Sequence, residues 1–419
     1  MNVTSSRPTT VVIGSGVIGL ACAAELVQRS HKVILVDPQA PGMGCSYGNA
    51  GCFSLASIVP VGMPGMWRKV PGWLADPTSP LSIPPRYLPR ISSWLWQLHR
   101  ASTSTSVERI CDELRPLLAD SLTAWRPLAA WAGASELIQQ RGWAVVYESE
   151  DAYKADTYGW SLRRDRGIEI HVLKGHEITE LEPALATRYT HMAYLPEQGQ
   201  CLNPLRLSQS LANKLTIAGA QFVQAKATGF SFENGRVNAV MTDQGPLMAD
   251  SVVVAAGAHS GKLAAALGSR VPLETERGYH AMVETTQTLL TRPVMSSEGK
   301  FFATPMEGGI RFAGSVELGG VEAPPNYGRA DVLLKKGQTM LPDLDSGRVT
   351  RWMGLRPSMP DSKPVLGTAP GVSNAYFAFG HGHVGLTAAA PTALVIADLI
   401  SGIEPKLNIK PFSPARFSR

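Results

Sequence analysis

Cysteine is scarce and unpatterned here: Cys22, Cys45, Cys52, Cys111 and Cys201 are all there is in 419 residues, and no Cys-x-x-Cys occurs. Such a set excludes a disulfide framework and a cysteine-built zinc site, and it suits reduced thiols in a cytoplasmic protein; no metal is expected. No charged segment followed by an apolar run opens the sequence, so no secretory leader is expected. Charge of one sign is also lacking, with 39 basic and 34 acidic residues and a net charge of +5. The densest basic cluster, Arg163 to Arg166, lacks interleaved aromatics and suits a solvated face, so nucleic acid is not expected as a partner. Residues 38–67 carry no Asp, Glu, Lys or Arg, yet ten of them are Gly or Pro, which excludes a continuous membrane-spanning helix there. There is no paired-carboxylate or Ser/His/Asp constellation and no internal repeat.

What is present begins at once. Residues 11–37 read as strand, glycine turn, helix, strand and acid. Val11, Val12 and Ile13 form the apolar run of a strand buried on both faces. Gly14, Gly16 and Gly19 give Gly-x-Gly-x-x-Gly: the first for the tight turn, the second for close approach to a pyrophosphate, the third for packing helix on sheet. Residues 32–36 return as a strand, and Asp37 ends it, placed to accept hydrogen bonds from a ribose. The unit predicts a dinucleotide site with pyrophosphate at the helix N-terminus, and leaves NAD and FAD both open.

Residues 42–51 then hold four glycines in ten, so backbone can run against a flat ligand, with Ser46 and Asn49 as hydrogen-bonding groups. Residues 60–89 carry eight prolines, with Trp67, Trp73, Trp94 and Trp96 in and beside them. This segment suits packing against the rest of the fold, a cap on the site, or contact with a membrane surface. Helical patterning runs over 91–131 and again over 151–166, with a strand at 145–147. Asn203-Pro204 caps and opens a helix that Gly219 ends. A strand follows at 221–226, and Asn234-Gly235 makes a hairpin turn. Residues 251–257 form a second buried strand ending in Ala256 and Gly257, so nucleotide-binding material appears twice. Residues 271–283 and 301–316 suit a second, antiparallel sheet. Residues 376–385 form another glycine-rich turn, Gly380-His-Gly-His-Val-Gly385, which opens an apolar helix from about 386 to 400.

Taken together, Gly14-x-Gly16-x-x-Gly19 with Asp37, Ser46-Tyr-Gly-Asn-Ala-Gly51, Ala255-Ala-Gly257, Arg277-Gly-Tyr279, Gly354-Leu-Arg-Pro357 and Gly380-His-Gly-His-Val-Gly385 resemble the FAD-dependent D-amino acid oxidase superfamily. The resemblance is greatest to its bacterial D-amino acid dehydrogenase branch and covers nearly the whole chain. Asp37 departs from the glutamate of many relatives, though a shorter acid still reaches a ribose. The resemblance implies an α/β fold with a Rossmann-like FAD-binding domain (1–90, 195–265 and 350–419) and an antiparallel-sheet substrate domain (91–194 and 266–349). It implies that Gly14, Ser15, Gly16, Val17 and Ile18 hold the pyrophosphate and Asp37 the ribose. Ser46, Asn49 and Gly51 would line the flavin or ribityl, Ala227 would touch adenine, and Gly257 would lie beside the nucleotide. Gly382, His383, Val384 and Gly385 would stabilise charge on the reduced flavin, with side-chain donors from His381 and His383 an open option.

The implied reaction is hydride transfer from Cα of a small amino acid to flavin N5, followed by hydrolysis of the imine to a 2-oxo acid and ammonia. Arg356 would bind the substrate carboxylate. Tyr279 and His280 alternate, so one at most faces the substrate, and Tyr279 is the expected one. No cysteine follows Cys201, so FAD is expected to be non-covalent. Only one glycine fingerprint opens a strand–helix–strand unit, so electrons are expected to leave to a quinone, a carrier or oxygen. Alternatives are a secondary amino acid substrate (D-proline, hydroxy-D-proline, sarcosine), glycine, a non-catalytic flavin-binding subunit, or a simple NAD-binding module. Location is expected to be cytoplasmic, with room for a peripheral contact on the inner face of the cell membrane.

Overall fold

A computed structural model describes residues 7–345 and 347–417. Its first sheet has six strands, in the order Gln221–Val223, Lys32–Val36, Thr9–Ile13, Ser251–Val254, Val372–Phe379 and Val365–Ala369. The first five run parallel and the last is antiparallel. Alternation divides these strands between two cores. Val12, Val33, Leu35 and Val253 enter one, with helices Val17–Gln28, Ser121–Trp131, Pro204–Ile217 and Gly385–Ile400. Val11, Ile13, Ile34, Val36, Val252 and Val254 enter the other, beneath helix Ser260–Ala266 and a three-stranded sheet of residues 227–248. Covering both faces is what makes these strands apolar throughout. Each fully buried aliphatic side chain contributes roughly 1.5–3 kcal/mol of transfer free energy.

Local signals placed most of these elements. Asn203 caps its helix by accepting the Arg206 N–H at 3.0 Å. Asn234 and Gly235 both take positive φ, 50° and 74°, as a two-residue hairpin turn requires. Residues 382–400 are apolar enough to cross a membrane, but 61% of that window is buried; Leu386, Ala389, Ala390 and Ala393 pack against Leu20 and its neighbours in the first core.

The second sheet has nine strands. Its path is Val349–Ser358, Glu274–Glu284, Gly309–Glu317, Phe301–Met306, Val294–Ser296, Trp143–Tyr147, His191–Leu195 and His171–Lys174, with Leu81–Ser82 alongside Gly309–Glu317. Two placements differ from the expected segment boundaries. Strand Val349–Ser358 pairs over ten residues with Glu274–Glu284, although 350 was expected to return the chain to the nucleotide-binding part. Helix Ser121–Trp131 packs in the core of the parallel sheet, with Trp125 donating to the Leu386 carbonyl at 2.8 Å, although 91–194 was expected to serve the other sheet. Periodicity says that a helix has an apolar face; it does not say which sheet that face covers.

Candidate active site

Gly14, Asp37, Ala255 and Gly380 each follow the carboxyl end of one of four neighbouring parallel strands. Ligands of open α/β sheets bind at this edge. Gly14 has φ +106°, and a Cβ there would lie 2.4 Å from the Ala255 carbonyl oxygen; one on Gly19 would lie 1.9 Å from that of Gly14. Turn and helix therefore close on the sheet only because both side chains are missing. Gly16 caps helix Val17–Gln28 without a side chain, and the Ser46 hydroxyl accepts the Val17 N–H at 2.9 Å. Asp37 accepts the Ser15 N–H at 2.7 Å and the Gln39 N–H at 2.9 Å. Ser15 Oγ is buried without a partner among the described residues. This cradle of backbone donors, small residues and one unpaired hydroxyl fits the pyrophosphate and ribose of the expected FAD.

Beyond Asp37 lies a groove of about 600 Å³ lined by Pro38, residues 222–226, Asp243 and Gln244, in line with where the adenine end of an extended dinucleotide would go. Ala227 lies one residue past this lining, as the first residue of strand Ala227–Glu233. Gly257 has φ +55° and open space at its Cβ position.

The nine-stranded sheet turns one face toward the glycine-rich loop of residues 42–51. Cross-strand register puts Glu276 opposite Arg356, Gly278 opposite Gly354 and His280 opposite Trp352; directly opposite residues share a face. His280 and Trp352 stack with centroids 5.2 Å apart, and Tyr47 of the loop lies edge-on to Trp352 at 5.9 Å. Gly48 must be glycine, because a Cβ there would sit 2.0 Å from the Trp352 ring. His280 Nδ1 donates to the Gly48 carbonyl at 3.2 Å. Burial, with Arg311 nearby, pulls the His280 pKa down to about 3, so it is a neutral donor. Asn49 Oδ1 accepts the Gly51 N–H at 2.8 Å and shapes the loop.

Tyr279, expected to face the substrate, does not share the face of Arg356; His280 does. Tyr279 points to the opposite face, into the core with Val283 and Phe312. Its hydroxyl donates to Glu317 and accepts the Asn326 N–H at 3.1 Å. Arg277 joins them, 3.2 Å from Glu317 and donating to the Ala323 and Pro324 carbonyls. Arg277 and Tyr279 thus clamp the loop after strand Gly309–Glu317 and do not meet substrate.

Arg356 lies on the site face. Its guanidinium rests on Gly278, where a Cβ would come within 2.1 Å of Cζ. Nη1 donates to the Ser315 carbonyl at 3.0 Å and Nη2 reaches toward Gly314 at 3.5 Å. No carboxylate lies within 4 Å of it among the described residues. Beside it, Glu276 is buried. Its Oε1 accepts the Ser358 hydroxyl at 2.7 Å. Its Oε2 lies 2.8 Å from His383 Nε2. Burial raises the Glu276 pKa, but His383, Ser358 and Arg356 outweigh it and hold the carboxyl at about 2.

The closing turn runs through a 3₁₀ segment, Gly382–Val384, into helix Gly385–Ile400. The expected side-chain donors are not both available to a cofactor. His381 is buried against Thr392 at 3.0 Å, with its pKa pulled down to about 3 by burial. The His383 ring is turned to Glu276 and the expected Val384 N–H already donates to the His381 carbonyl at 2.9 Å, which leaves the backbone N–H groups of Gly382, His383 and Gly385 as the turn's donors. Arg311, unremarked in the sequence, is buried and donates to the Asn49 carbonyl at 2.6 Å and to Tyr47 at 3.3 Å. It ties the cofactor loop to the substrate-side sheet. Burial lowers its pKa to about 10, so it remains charged.

A family model described as FAD dependent oxidoreductase matches residues 9–399. The chain is 41% identical over 413 residues to the D-amino-acid oxidase of Bradyrhizobium diazoefficiens, covering 97% of this chain and 98% of that one. It is 29% identical over 417 residues to the D-amino acid dehydrogenase of Rhizobium rhizogenes, covering 97% and 99%. In structure it is similar to glycine oxidase from Geobacillus kaustophilus, with TM-score 0.78, 23% identity and coverage of 99% and 100%. Single chemical features such as Arg356 on its glycine cushion do not name a family, but a match across nearly the whole chain does: this protein belongs to the FAD dependent oxidoreductase family.

Proposed function

We propose that the protein oxidises small D-amino acids to 2-oxo acids and ammonia, with the cofactor held non-covalently by the parallel-sheet part and the substrate by the nine-stranded sheet. The observation that carries the substrate class is Arg356: a guanidinium on the site face, braced by backbone carbonyls, with no carboxylate paired to it among the described residues. Such a fork matches a substrate carboxylate bidentately. The D configuration rests on the two named relatives.

FAD, when bound, supplies the hydride acceptor. The chain's own part is positioning and electrostatics. Arg356 fixes the substrate's carboxylate, and therefore the direction in which Cα presents its hydrogen. The N–H groups of Gly382, His383 and Gly385 stabilise negative charge developing beside them. Tyr47, His280 and Trp352 wall the site with rings.

Anaerobic addition of D-amino acids, glycine, sarcosine and hydroxyprolines, one at a time, to the yellow protein tests this. Bleaching by D-amino acids is expected; bleaching by secondary amines alone would move the assignment to them, and none at all would refute it. Repeating with oxygen and then with a quinone identifies the acceptor.

We place the protein in the cytoplasm, with a peripheral contact to the inner face of the membrane. Leu74, Leu88 and Trp96 are 43%, 40% and 51% exposed, among the exposed cations Arg68, Lys69, Arg86, Arg90 and Arg100, a mixture that suits an anionic bilayer. Co-sedimentation with phosphatidylserine vesicles, lost in Trp96→Ser/Leu88→Ser, is expected; equal recovery with neutral vesicles or none would refute it.

A further inference from the structure

We propose that His383, held by Glu276, is the base that takes the proton from the substrate's ammonium group; the inference rests on the amino-acid reading above. Glu276 and Arg356 are direct cross-strand partners, so their Cα atoms are about 5 Å apart. A ligand whose carboxylate sits on Arg356 has its nitrogen only two bonds from that carboxylate carbon. The Arg356 charge is felt at the Glu276 carboxylate, and we take the ligand's amine to face the Glu276–His383 pair.

The pair has the form of an oriented base. The Glu276 side chain is 3% exposed and the His383 side chain 42%: the carboxylate is sealed and the imidazole opens outward. Ser358 fixes one carboxylate oxygen. The other lies 2.8 Å from Nε2, a separation that favours the tautomer with hydrogen on Nε2 and Nδ1 left to accept. Nδ1 has no hydrogen-bond partner among the described residues.

Other titratable groups near this face are unsuited. His280 spends Nδ1 on the Gly48 carbonyl and His381 spends Nε2 on Thr392, and both rings are sealed from a ligand, at 1% and 2% exposure. Cys45 is raised by burial, against a smaller opposing pull from Arg356, so it stays a thiol. The charge in contact with His383 among the described residues is Glu276, and Arg356 stands across from Glu276 on the next strand.

The step balances. An ammonium N–H bond breaks and the Nδ1–H bond forms, and the imidazolium is stabilised by Glu276. The lone pair left on nitrogen becomes the second C–N bond as hydrogen and its electron pair leave Cα to reduce FAD. A neutral amine is required because an ammonium has no lone pair to give.

The test compares kcat/KM against pH for wild type, His383→Asn and Glu276→Gln, each checked for FAD content and Tm. In wild type an acid limb should appear as the base becomes protonated. His383→Asn should lose roughly 10²-fold at pH 7, the usual worth of a positioned base, and recover to within about threefold at pH 10, where solution supplies free amine. Glu276→Gln should move the acid limb down by about one unit, because the imidazolium loses its counter-charge.

A second readout needs no turnover. In ¹⁵N-histidine spectra of the FAD-loaded protein, 2-aminoisobutyrate (which has no Cα hydrogen) should raise the protonated fraction of the His383 ring over that of the ligand-free protein at the same pH. A pH-independent loss in His383→Asn, or a ring whose protonated fraction does not rise with the ligand bound, overturns the proposal. Loss of FAD from His383→Asn with an unmoved acid limb in Glu276→Gln also overturns it and leaves His383 a cofactor residue. If D-amino acids reduce the flavin at no pH, it is the substrate reading that has failed.

Discussion

Gly278→Ala is a one-carbon change with a calculable consequence. The added Cβ would stand 2.1 Å from Arg356 Cζ, 2.2 Å from Nη2 and 2.5 Å from Nη1. Ordinary carbon contact is about 3.5 Å, so the guanidinium must retreat by more than an ångström. Gly278 lies within strand Glu274–Glu284 and is not among the positive-φ glycines, so alanine suits the backbone. The obstructing atoms are the far end of a flexible side chain. The fold should therefore absorb the change, with Tm and FAD content unaltered, while the site does not. A misplacement of about 1 Å costs on the order of 10²-fold in turnover, or ~2.7 kcal/mol.

The assay is anaerobic flavin reduction by the best D-amino acid, measured in a double-mutant cycle. Arg356→Ala alone should lose about 10²- to 10³-fold in kcat/KM, the range for deleting one partner of a charged pair. If Gly278 acts through Arg356, then Gly278→Ala should cost almost nothing in the Arg356→Ala background. Wild-type kcat/KM in Gly278→Ala, or the same loss in both backgrounds, would refute the role given to the glycine cushion.

Three further outcomes are expected. Arg311→Met removes the cation that holds the Tyr47 and Asn49 carbonyls and should weaken FAD binding tenfold or more, read by flavin absorbance after dialysis; full retention would show that the loop stands alone. Asp37→Ala frees the Ser15 and Gln39 N–H groups, each a charge-assisted bond of roughly 1.5–3 kcal/mol, and should also yield protein depleted in flavin. Acid should unfold the protein in two windows, measured by denaturant titration from pH 7 to 2. His280 and His381, held near 3, bind protons in the unfolded state first, so stability falls as pH drops below about 6.5, by up to ~1.4 kcal/mol per unit for each. Glu276, held near 2, adds stability above about 4.5 that is lost as pH falls to 2; Glu276→Gln should flatten this second window, and an unchanged slope would contradict the pairing with His383.

The nucleotide half was legible because its signals are local. A tight turn, a helix N-terminus and a strand-ending acid lie within 27 consecutive residues, and each states its own geometry. Arg356 was legible only through the resemblance, since one arginine before a proline carries no chemistry of its own. Arg311 and Glu276 were missed for a different reason. Their roles come from partners far along the chain: Asn49 for Arg311, 262 residues away, and His383 for Glu276. Glycine was the available signal. Gly48, Gly278 and Gly354 each make room for a ring or a guanidinium, but the sequence does not say whose.

Tyr279 and His280 show where alternation stops being informative. A strand fixes parity, so adjacent side chains must part, and they do. Parity alone has no sign, because either face can be the core. The sign is set by what lies opposite: Arg356, Gly354 and Trp352 face residues 276, 278 and 280, and the glycine-rich loop closes over that set through Gly48. Gly278 on one strand and Gly354 on the next, which make room for Arg356 and Trp352, mark the even face as the crowded one. The odd face is then free for an aromatic core, and Tyr279 joins it. The sign of a strand thus becomes readable once its glycines are paired with the large residues that need them, which makes the register with Val349–Ser358, more than any residue of strand Glu274–Glu284 taken singly, the determinant of which side chains meet the substrate.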